Sequence, residues 1–288
     1  MKHLFHKLAS SFNAIITLIA YLYRFILRGT MKPDLASKLS NGKDVIVLGN
    51  GPSVKQELSH MLSVSSEIVV VNFFACGDYY KLMKPRFYVL SDGFFFSKKP
   101  IPDKAMLLYN MINDQTCWEM SLYVPYWSRK NVDWKKIINN PFVKVLFYND
   151  IPYCGKYSIS RLRQKLYNKG VATIDIWNVI HASIMIMIYN GYENIHLYGV
   201  ESNDILSIIV TSKNQVGFID KHFYDGEEHP FRMWYKENGK PYTMPDVLYK
   251  YYKTFLTYHE IAEYAQSRNC KIFNHTKDSL IDSFERIN

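Results

Sequence analysis

The sequence predicts an α/β fold built on a mostly parallel sheet, and three observations point to it. Short runs of β-branched and other apolar residues alternate along the chain with longer helical patterns. Several runs, such as VIVL at 45–48 and IVVV at 68–71, contain no polar residue, as expected of strands that are covered on both faces. Strands that alternate with helices form parallel sheets with right-handed crossovers, so we predict a single Rossmann-like domain.

The elements follow from these patterns in chain order. We predict strands at 44–49, 67–72, 86–91, 105–109, 143–148, 194–199 and 270–273. Helices are predicted between them, at 54–62, 76–83, 115–122, 160–168, 176–190 and 246–268. The stretch at about 200–245 is irregular and rich in Gly, Asn, Asp and Glu, which is typical of a lid. We divide the chain into an N-terminal segment, 1–38, and one α/β domain, 39–288.

Composition narrows the class of protein. With 288 residues, 48% of them hydrophobic, the chain can bury a sizeable core. The net charge of +9 suits nucleic acid, anionic lipid or a phosphate-bearing ligand. Because the charges form no stripe and accompany no nucleic-acid-binding module, we predict no nucleic-acid partner. The four cysteines are far apart and form no CxxC pair, which argues against a zinc site or a disulfide scaffold and favours a reducing cytoplasm.

The N-terminal segment begins with an apolar stretch that basic residues flank on both sides. The apolar run at 12–23 is shorter than the roughly 20 residues needed to cross a bilayer. No small-residue cleavage site follows it, which argues against a secretory signal. We therefore predict that residues 1–30 form an amphipathic helix on an anionic membrane surface. The alternatives are a helix packed on the domain or on a partner subunit, and a full span.

The stretch VIVLGNGPSV, at 45–54, ends the first strand in a tight glycine turn. Gly49 and Gly51 allow the backbone to approach a ligand, and Asn50 offers amide donors and an acceptor. Pro52 and Ser53 suit the first turn of the next helix, whose N-terminus favours an anion. The motif GxGxxG lacks its third glycine here, and the P-loop lysine is missing. A purely structural glycine turn is the alternative.

Polar residues end the next two strands at the same edge of the predicted sheet. Asn72 follows the second strand, and Ser91 and Asp92 follow the third. Ligands bind outside the carboxyl ends of strands in open α/β sheets, so these side chains predict contacts to a base and a ribose. Each of them also suits a turn cap. The chain contains no Asp-x-Asp, the motif that holds a divalent metal against a diphosphate, so we expect no metal and a monophosphate-activated ligand.

The stretches VIVLGNGPSV, VVVN and NGYENIHLYGVESN resemble the bacterial lipooligosaccharide sialyltransferases of glycosyltransferase family 42. They also resemble a wider group of polysaccharide enzymes described as pterin-diphosphokinase-like. The resemblance covers about 44–275. It implies a GT-A-like variant of the Rossmann fold with a lid, a CMP-sialic acid donor, inversion at the anomeric centre, no metal and peripheral attachment to a membrane.

The resemblance also implies roles for individual residues. Asn50 and Asn72 match asparagines that contact the cytidine nucleotide, and Gly199 matches a glycine beside the donor. The family's catalytic histidine falls near Lys253, so the general base is not carried over. Glu201 and Asn203 follow the late strand at the ligand edge, and we predict that they contact donor or acceptor.

Transfer to a sugar hydroxyl needs a general base, for which histidine is best suited at neutral pH. In the wider group a similar HFYD follows the GVESN segment, which favours His222 as the base. Tyr224 would then bind phosphate and Asp225 would orient the imidazole. An ordinary exposed turn is the alternative. His259 and His181 lie on predicted helices, and we expect both to be buried structural residues.

The sequence thus predicts an inverting, metal-independent glycosyltransferase that moves a sialic-acid-like sugar from a CMP-activated donor to a cell-surface glycan or glycolipid. We expect it to lie peripherally on the cytoplasmic side of the inner membrane and to need no cofactor besides its donor. One alternative is an ATP- and Mg²⁺-dependent pterin-diphosphokinase-like phosphotransferase in which Asp92, Glu201 and Asp225 converge on the phosphates. Another is a non-catalytic nucleotide-binding module. The sequence does not decide between a monomer and a homo-oligomer.

Overall fold

A computed structural model describes residues 2–29, 44–63, 66–96, 100–155, 157–219, 231–236 and 239–287. Its helices are α1 (Lys2–Arg28), α2 (Val54–Ser63), α3 (Tyr80–Met83), α4 (Asp103–Gln115), α5 (Trp134–Ile137), α6 (Ser160–Asn168), α7 (Val179–Asn190) and α8 (Met244–Ser267). Its first six strands are β1 (Asp44–Leu48), β2 (Glu67–Val71), β3 (Phe87–Val89), β4 (Met120–Pro125), β5 (Val143–Tyr148) and β6 (Asn194–Tyr198). The remaining strands are β7 (Ile208–Val210), β8 (Val216–Ile219), β9 (Phe231–Met233), β10 (Lys271–Asn274) and β11 (Glu285–Arg286).

Eight of the strands form one sheet in the order β11-β10-β6-β1-β2-β3-β4-β5. All its neighbouring pairs are parallel, which confirms the predicted α/β class. From β1 the chain adds strands outward to β5 and then returns to place β6 on the other side of β1. The strand order therefore reverses between β1 and β6, where open α/β sheets form a ligand crevice.

The sheet separates two apolar layers because successive strand residues point to opposite faces. Val45 and Val47 of β1 pack in the layer that contains α7 and part of α8. Ile46 and Leu48 pack in the other layer, with residues of α2 and α4. The continuous apolar runs noted in the sequence are thus explained by burial on both faces.

Two predicted elements are wrong. The run at 105–109, predicted as a strand, lies inside α4, where Ala105, Leu108, Tyr109 and Ile112 are buried at helical spacing. The helix predicted at 115–122 is replaced in part by β4, whose six residues are all buried. The run at 105–109 by itself fits the spacing of a helix as well as that of a strand, and the buried positions continue at helical spacing to Ile112.

The predicted lid range contains a second, antiparallel sheet in the order β7-β8-β9. Trp234, just after β9, packs its ring against Phe218 of β8 and Tyr242, with centroids 5.2 Å apart in each pair. The chain then enters α8 through a capping box. The Thr243 side chain accepts the backbone N–H of Asp246, and the Asp246 carboxylate accepts the backbone N–H of Thr243. The described part of the predicted lid range therefore contains regular structure that leads into α8.

Helix α1 packs on the domain along one face. Tyr21 is buried, with its ring 5.4 Å from that of Tyr153, and Leu18 and Phe25 pack on the same core. At its end, Arg28 forms an ion pair of 2.9 Å with Asp150. By length and composition, the segment Ser11–Arg28 would suffice to cross a membrane.

Candidate active site

A cleft of about 710 Å³ opens at the carboxyl ends of β1, β2, β3 and β6. Its volume is in the range typical of small-molecule sites. Nine of the predicted site residues line it, namely Gly49, Asn50, Gly51, Pro52, Asn72, Asp92, Gly199, Glu201 and Asn203. Ser53 and Ser91 adjoin these residues in sequence without lining the cleft. The predicted catalytic residues His222, Tyr224 and Asp225 lie outside the described residues.

The glycine turn after β1 is held against the turn after β6. The backbone N–H of Gly49 donates to Tyr198 O at 2.8 Å, and that of Gly51 donates to Gly199 O at 3.0 Å. A Cβ on Gly49 would lie 2.1 Å from Gly199 O, so no larger residue fits without backbone movement. Gly199 itself has a φ of +63°, which favours glycine. These glycines join the two turns that form the cleft floor.

The buried side chain of Glu201 supports the glycine turn after β1, which forms part of the cleft floor. Its carboxylate is buried, and Oε1 accepts the backbone N–H of Ser53 at 2.9 Å, one residue before α2. A Cβ on Gly51 would lie 1.4 Å from Glu201 Oε2. The anion that we expected at this helix N-terminus is therefore supplied by the chain's own carboxylate.

Asn50 and Asn72 bring unpaired acceptors to the cleft. Asn50 Nδ2 donates to Val71 O at 3.3 Å, an interaction that orients the amide, while its Oδ1 is buried. Asn72 has a left-handed backbone with φ of +50°, and its carbonyl accepts the Tyr88 hydroxyl. Within the described part of the chain, neither Asn50 Oδ1 nor Asn72 Oδ1 receives a hydrogen bond. Buried acceptors without donors are costly, so both atoms are suited to a ligand that donates.

Asp92 and Ser91 follow β3 as predicted. The carboxylate of Asp92 accepts the backbone N–H of Phe94 at 2.8 Å, so it caps the short 3₁₀ turn that follows. Asp92 remains exposed and lines the cleft. The turn-capping alternative for Asp92 and its place at the ligand edge are therefore compatible.

A hydroxyl and amide network that the sequence did not reveal forms another wall. Asn178 Nδ2 donates to the hydroxyl of Tyr258 at 3.0 Å, and Ser202 Oγ lies 3.3 Å from the same hydroxyl. All three residues line the cleft. Burial raises the pKa of Tyr258 to about 12, so this hydroxyl stays protonated at neutral pH. These residues come from distant segments, and only the position of Asn178 before a long apolar run gave a sequence signal, that of a helix cap.

Basic side chains approach the cleft from the α4 and lid sides. Lys104 lines it with Nζ 4.7 Å from the Phe73 ring centroid, and Arg232 of β9 also lines it. Lys250 of α8 stands with Nζ 3.9 Å from the Trp234 ring centroid. Burial lowers the pKa of Lys250, and the charges of Asp92 and Asp204 oppose that change.

Histidines of the described residues do not line the cleft. His181 is buried as expected, and burial lowers its pKa to about 3. The expectation for His259 is wrong, because it is exposed and its Nε2 lies 3.3 Å from Asp282 Oδ1. The buried face of α8 instead carries Thr257, Tyr258 and Ile261. His222 therefore stays a prediction from the sequence.

Lys253, Glu201 and Asp92 each have a partner within the protein. Lys253, which the resemblance places near the family's catalytic histidine, forms an ion pair of 3.3 Å with Asp175 and does not line the cleft. Glu201 and Asp92, expected by the phosphotransferase alternative to converge on phosphates, each accept a backbone N–H. Across the described ranges, no group of three His, Cys, Asp or Glu side chains is arranged to hold a metal ion.

Comparisons with known proteins gave matches among solved structures. No family model matches the chain, and no curated protein matches it. The sialyltransferase CST-II in complex with a trisaccharide acceptor and CMP is 15% identical over 85% of each chain, with a TM-score of 0.41. The monofunctional alpha-2,3-sialyltransferase Cst-I from Campylobacter jejuni is 18% identical over 88% of this chain and 83% of its own, with a TM-score of 0.41.

A third structure, an alpha-2,3-sialyltransferase from Campylobacter jejuni in apo form, is 16% identical over 88% of this chain and 83% of its own, with a TM-score of 0.40. All three are sialyltransferases, the class of enzyme that the sequence resemblance named.

Proposed function

We propose that this chain is a sialyltransferase-like glycosyltransferase that takes a CMP-activated acidic sugar as donor. The observation that carries the proposal is a pair of buried acceptors, Asn50 Oδ1 and Asn72 Oδ1, which receive no hydrogen bond from the described residues and belong to side chains that line a cleft at the strand-order switch. Cytosine presents an exocyclic amine and ribose presents hydroxyls, so a cytidine nucleotide has donors for both atoms. The same two asparagines are those that the resemblance matches to nucleotide contacts.

The chemistry we propose is inverting transfer without a metal. The acceptor is a cell-surface glycan or glycolipid, whose hydroxyl attacks the anomeric carbon while the bond to CMP breaks. A monophosphate leaving group carries less charge than a diphosphate and can be stabilised by lysine, arginine and hydroxyl donors. Lys104 and Arg232 in the cleft are suited to that task. We assign the general base to His222 on the sequence alone.

Thermal shift with nucleotides tests the donor class, because a ligand that binds the folded state raises Tm by mass action. The panel is CMP, UMP, UDP, GDP and ATP, each with Mg²⁺ and with EDTA. We expect CMP to raise Tm in EDTA. Stabilisation only by ATP or a nucleoside diphosphate, and only with Mg²⁺, would overturn the proposal in favour of the phosphotransferase alternative.

Turnover tests the reaction itself. The protein is incubated with CMP-linked sialic acid and a series of glycan acceptors, and the sialylated product is measured. The His222→Ala variant should lower kcat by about 10²–10⁴-fold with CMP affinity unchanged, because general-base catalysis contributes about that much. Unchanged kcat would remove His222 from the mechanism.

We also propose that α1 holds the enzyme on the cytoplasmic surface of the inner membrane. Its outward face exposes eight large apolar side chains, Phe12, Ile15, Ile16, Ile19, Leu22, Tyr23, Ile26 and Leu27. The opposite face is packed on the domain through Tyr21. A helix with one side on protein and an apolar side outward suits an interfacial position, and exposed Arg24 adds attraction to anionic lipid.

A further inference from the structure

Lys250 differs from the neighbouring Lys236 and Lys253 in that its ammonium group forms no ion pair with any of the described residues. Lys236 pairs with Asp246 at 2.7 Å, and Lys253 pairs with Asp175 at 3.3 Å. Within the described part of the chain, the ammonium group of Lys250 forms neither an ion pair nor a hydrogen bond. Its Nζ lies over the ring of Trp234, 3.9 Å from the ring centroid.

Lys250 does not itself line the cleft, but its surroundings connect it to residues that do. Its partner ring, Trp234, lies two residues after Arg232, which lines the cleft. The ammonium group is also within electrostatic range of Asp92 and Asp204, two further lining residues, and both carboxylates are exposed. The aromatic contact restrains the side chain on one side and leaves its three N–H donors for other groups.

A partly buried ammonium group loses hydration that the Trp234 ring replaces only in part. An anionic oxygen at that place would restore it through charge-assisted hydrogen bonds. We propose that Lys250, held against Trp234, binds an anionic group of the donor, either its phosphate or the carboxylate of its sugar. This inference rests on the proposed function for the identity of the donor, and it makes the lid and α8 part of the donor site.

Binding measurements by calorimetry test the proposal with Lys250→Met, Lys250→Arg and Lys253→Met. Lys253→Met is the matched control, since Lys253 lies one turn further along α8, 5.9 Å from the Trp177 ring, but has a carboxylate partner. The probes are cytidine, CMP and CMP-linked sialic acid without acceptor. We expect Lys250→Met to weaken binding of an anionic probe by about tenfold or more, Lys250→Arg to restore most of it, and Lys253→Met to leave it unchanged.

The probes distinguish the two sources of the anion. Weaker binding of CMP with unchanged cytidine binding identifies the phosphate. Unchanged CMP binding with weaker binding of CMP-linked sialic acid identifies the carboxylate. Equal affinities of Lys250→Met and wild type for all three probes would overturn the proposal, as would an equal loss for cytidine and CMP. A Tm of Lys250→Met at or above that of wild type would verify that the variant folds.

A further arm separates this inference from the proposed function. If wild type binds neither CMP nor CMP-linked sialic acid, the proposed function fails. Inorganic phosphate then decides the role of Lys250. Stabilisation of wild type and Lys250→Arg, but not of Lys250→Met, supports an anion site. Equal stabilisation of all three, or of none, would overturn it.

Discussion

The two polar atoms of the Asn50 side-chain amide differ in their hydrogen bonding. Nδ2 donates to Val71 O and so links the turn after β1 to the end of β2, while Oδ1 has no donor among the described residues. Because the first interaction fixes the orientation of the amide, the second atom is held ready for a ligand. The structural role of Asn50 and the ligand-binding role that we propose for it would therefore be combined in one side chain.

We expect Asn50→Ala to weaken CMP binding by about 1–3 kcal/mol, because the ligand donor loses its acceptor. Calorimetry with CMP measures the change. The matched control is Asn149→Ala, since Asn149 Nδ2 also donates to a backbone carbonyl, that of Gly170 at 2.8 Å, but does not line the cleft. Both variants should lose stability, and only the first should lose affinity. If Asn50→Ala binds CMP with the same affinity as wild type, the turn GNGPS has only a structural role.

At the scale of elements, the start of α2 depends on the turn after β6. Glu201 Oε1 accepts the N–H of Ser53, so a residue 148 positions away caps this helix. The carboxylate also faces the positive end of the helix dipole. This contact couples the two turns that form the cleft floor.

We expect Glu201→Ala to lower Tm by about 1–3 °C, because loss of a helix cap costs about 0.5–2 kcal/mol and a chain of this length has a large unfolding entropy. Differential scanning calorimetry provides the measurement. Asp204→Ala, which removes an exposed carboxylate from the same segment, should change Tm little. An unchanged Tm for Glu201→Ala together with a raised donor KM would instead assign Glu201 to ligand contact alone.

Helix α7 is buried all round, and it carries His181 into the core. The His181 ring lies 4.3 Å from that of Tyr258, and Nδ1 accepts the N–H of Trp177 at 3.2 Å. Burial lowers the pKa of His181 from 6.5 to about 3. Between these values the unfolded chain binds a proton that the folded chain does not, so stability present above pH 6.5 is lost as pH falls.

We expect the wild type to lose about 2 kcal/mol more than His181→Gln in unfolding free energy between pH 7 and pH 5. Urea titrations at the two pH values give the comparison. The exposed His259→Gln variant should behave like wild type. If His181→Gln loses as much as wild type, acid destabilisation arises elsewhere in the chain.

For the whole molecule, the membrane attachment that we propose for α1 would determine which side of the domain faces the lipid. Its inner face is joined to the domain through Tyr21, Phe25 and the ion pair of Arg28 with Asp150. Its outer face exposes the apolar side chains named above. Because the helix is packed on the domain, attachment would orient the domain as well as anchor it.

We expect Ile15→Glu combined with Ile19→Glu to reduce binding to vesicles containing phosphatidylglycerol by about tenfold or more, with Tm unchanged. Cosedimentation and thermal unfolding provide the two measurements. The control is Leu82→Glu on α3, where Leu82 is likewise an exposed aliphatic residue, and it should leave vesicle binding intact. Tyr21→Ala should lower Tm, because the ring is buried. Full vesicle binding by the double variant would place the membrane contact elsewhere.

The sequence by itself determined the parallel α/β sheet and the place of the cleft. Both follow from local patterns, since apolar runs mark buried strands and polar residues after them mark the ligand edge. Gly49, Asn50, Asn72 and Gly199 were therefore predictable as neighbours, and the structure brings them together. The run at 105–109 was not predictable as part of a helix, because a few apolar residues fit a helix as well as a strand.

Only the tertiary structure decided what each polar group near the cleft is bound to. Glu201 caps α2, Lys253 pairs with Asp175, and Lys250 stands against Trp234. These partners come from segments far apart in sequence, and the energy of a buried charge depends on whichever group lies within a few ångströms of it. Residue type and spacing do not contain that information, so the sequence located the site, and packing determined which of its side chains are left for a ligand.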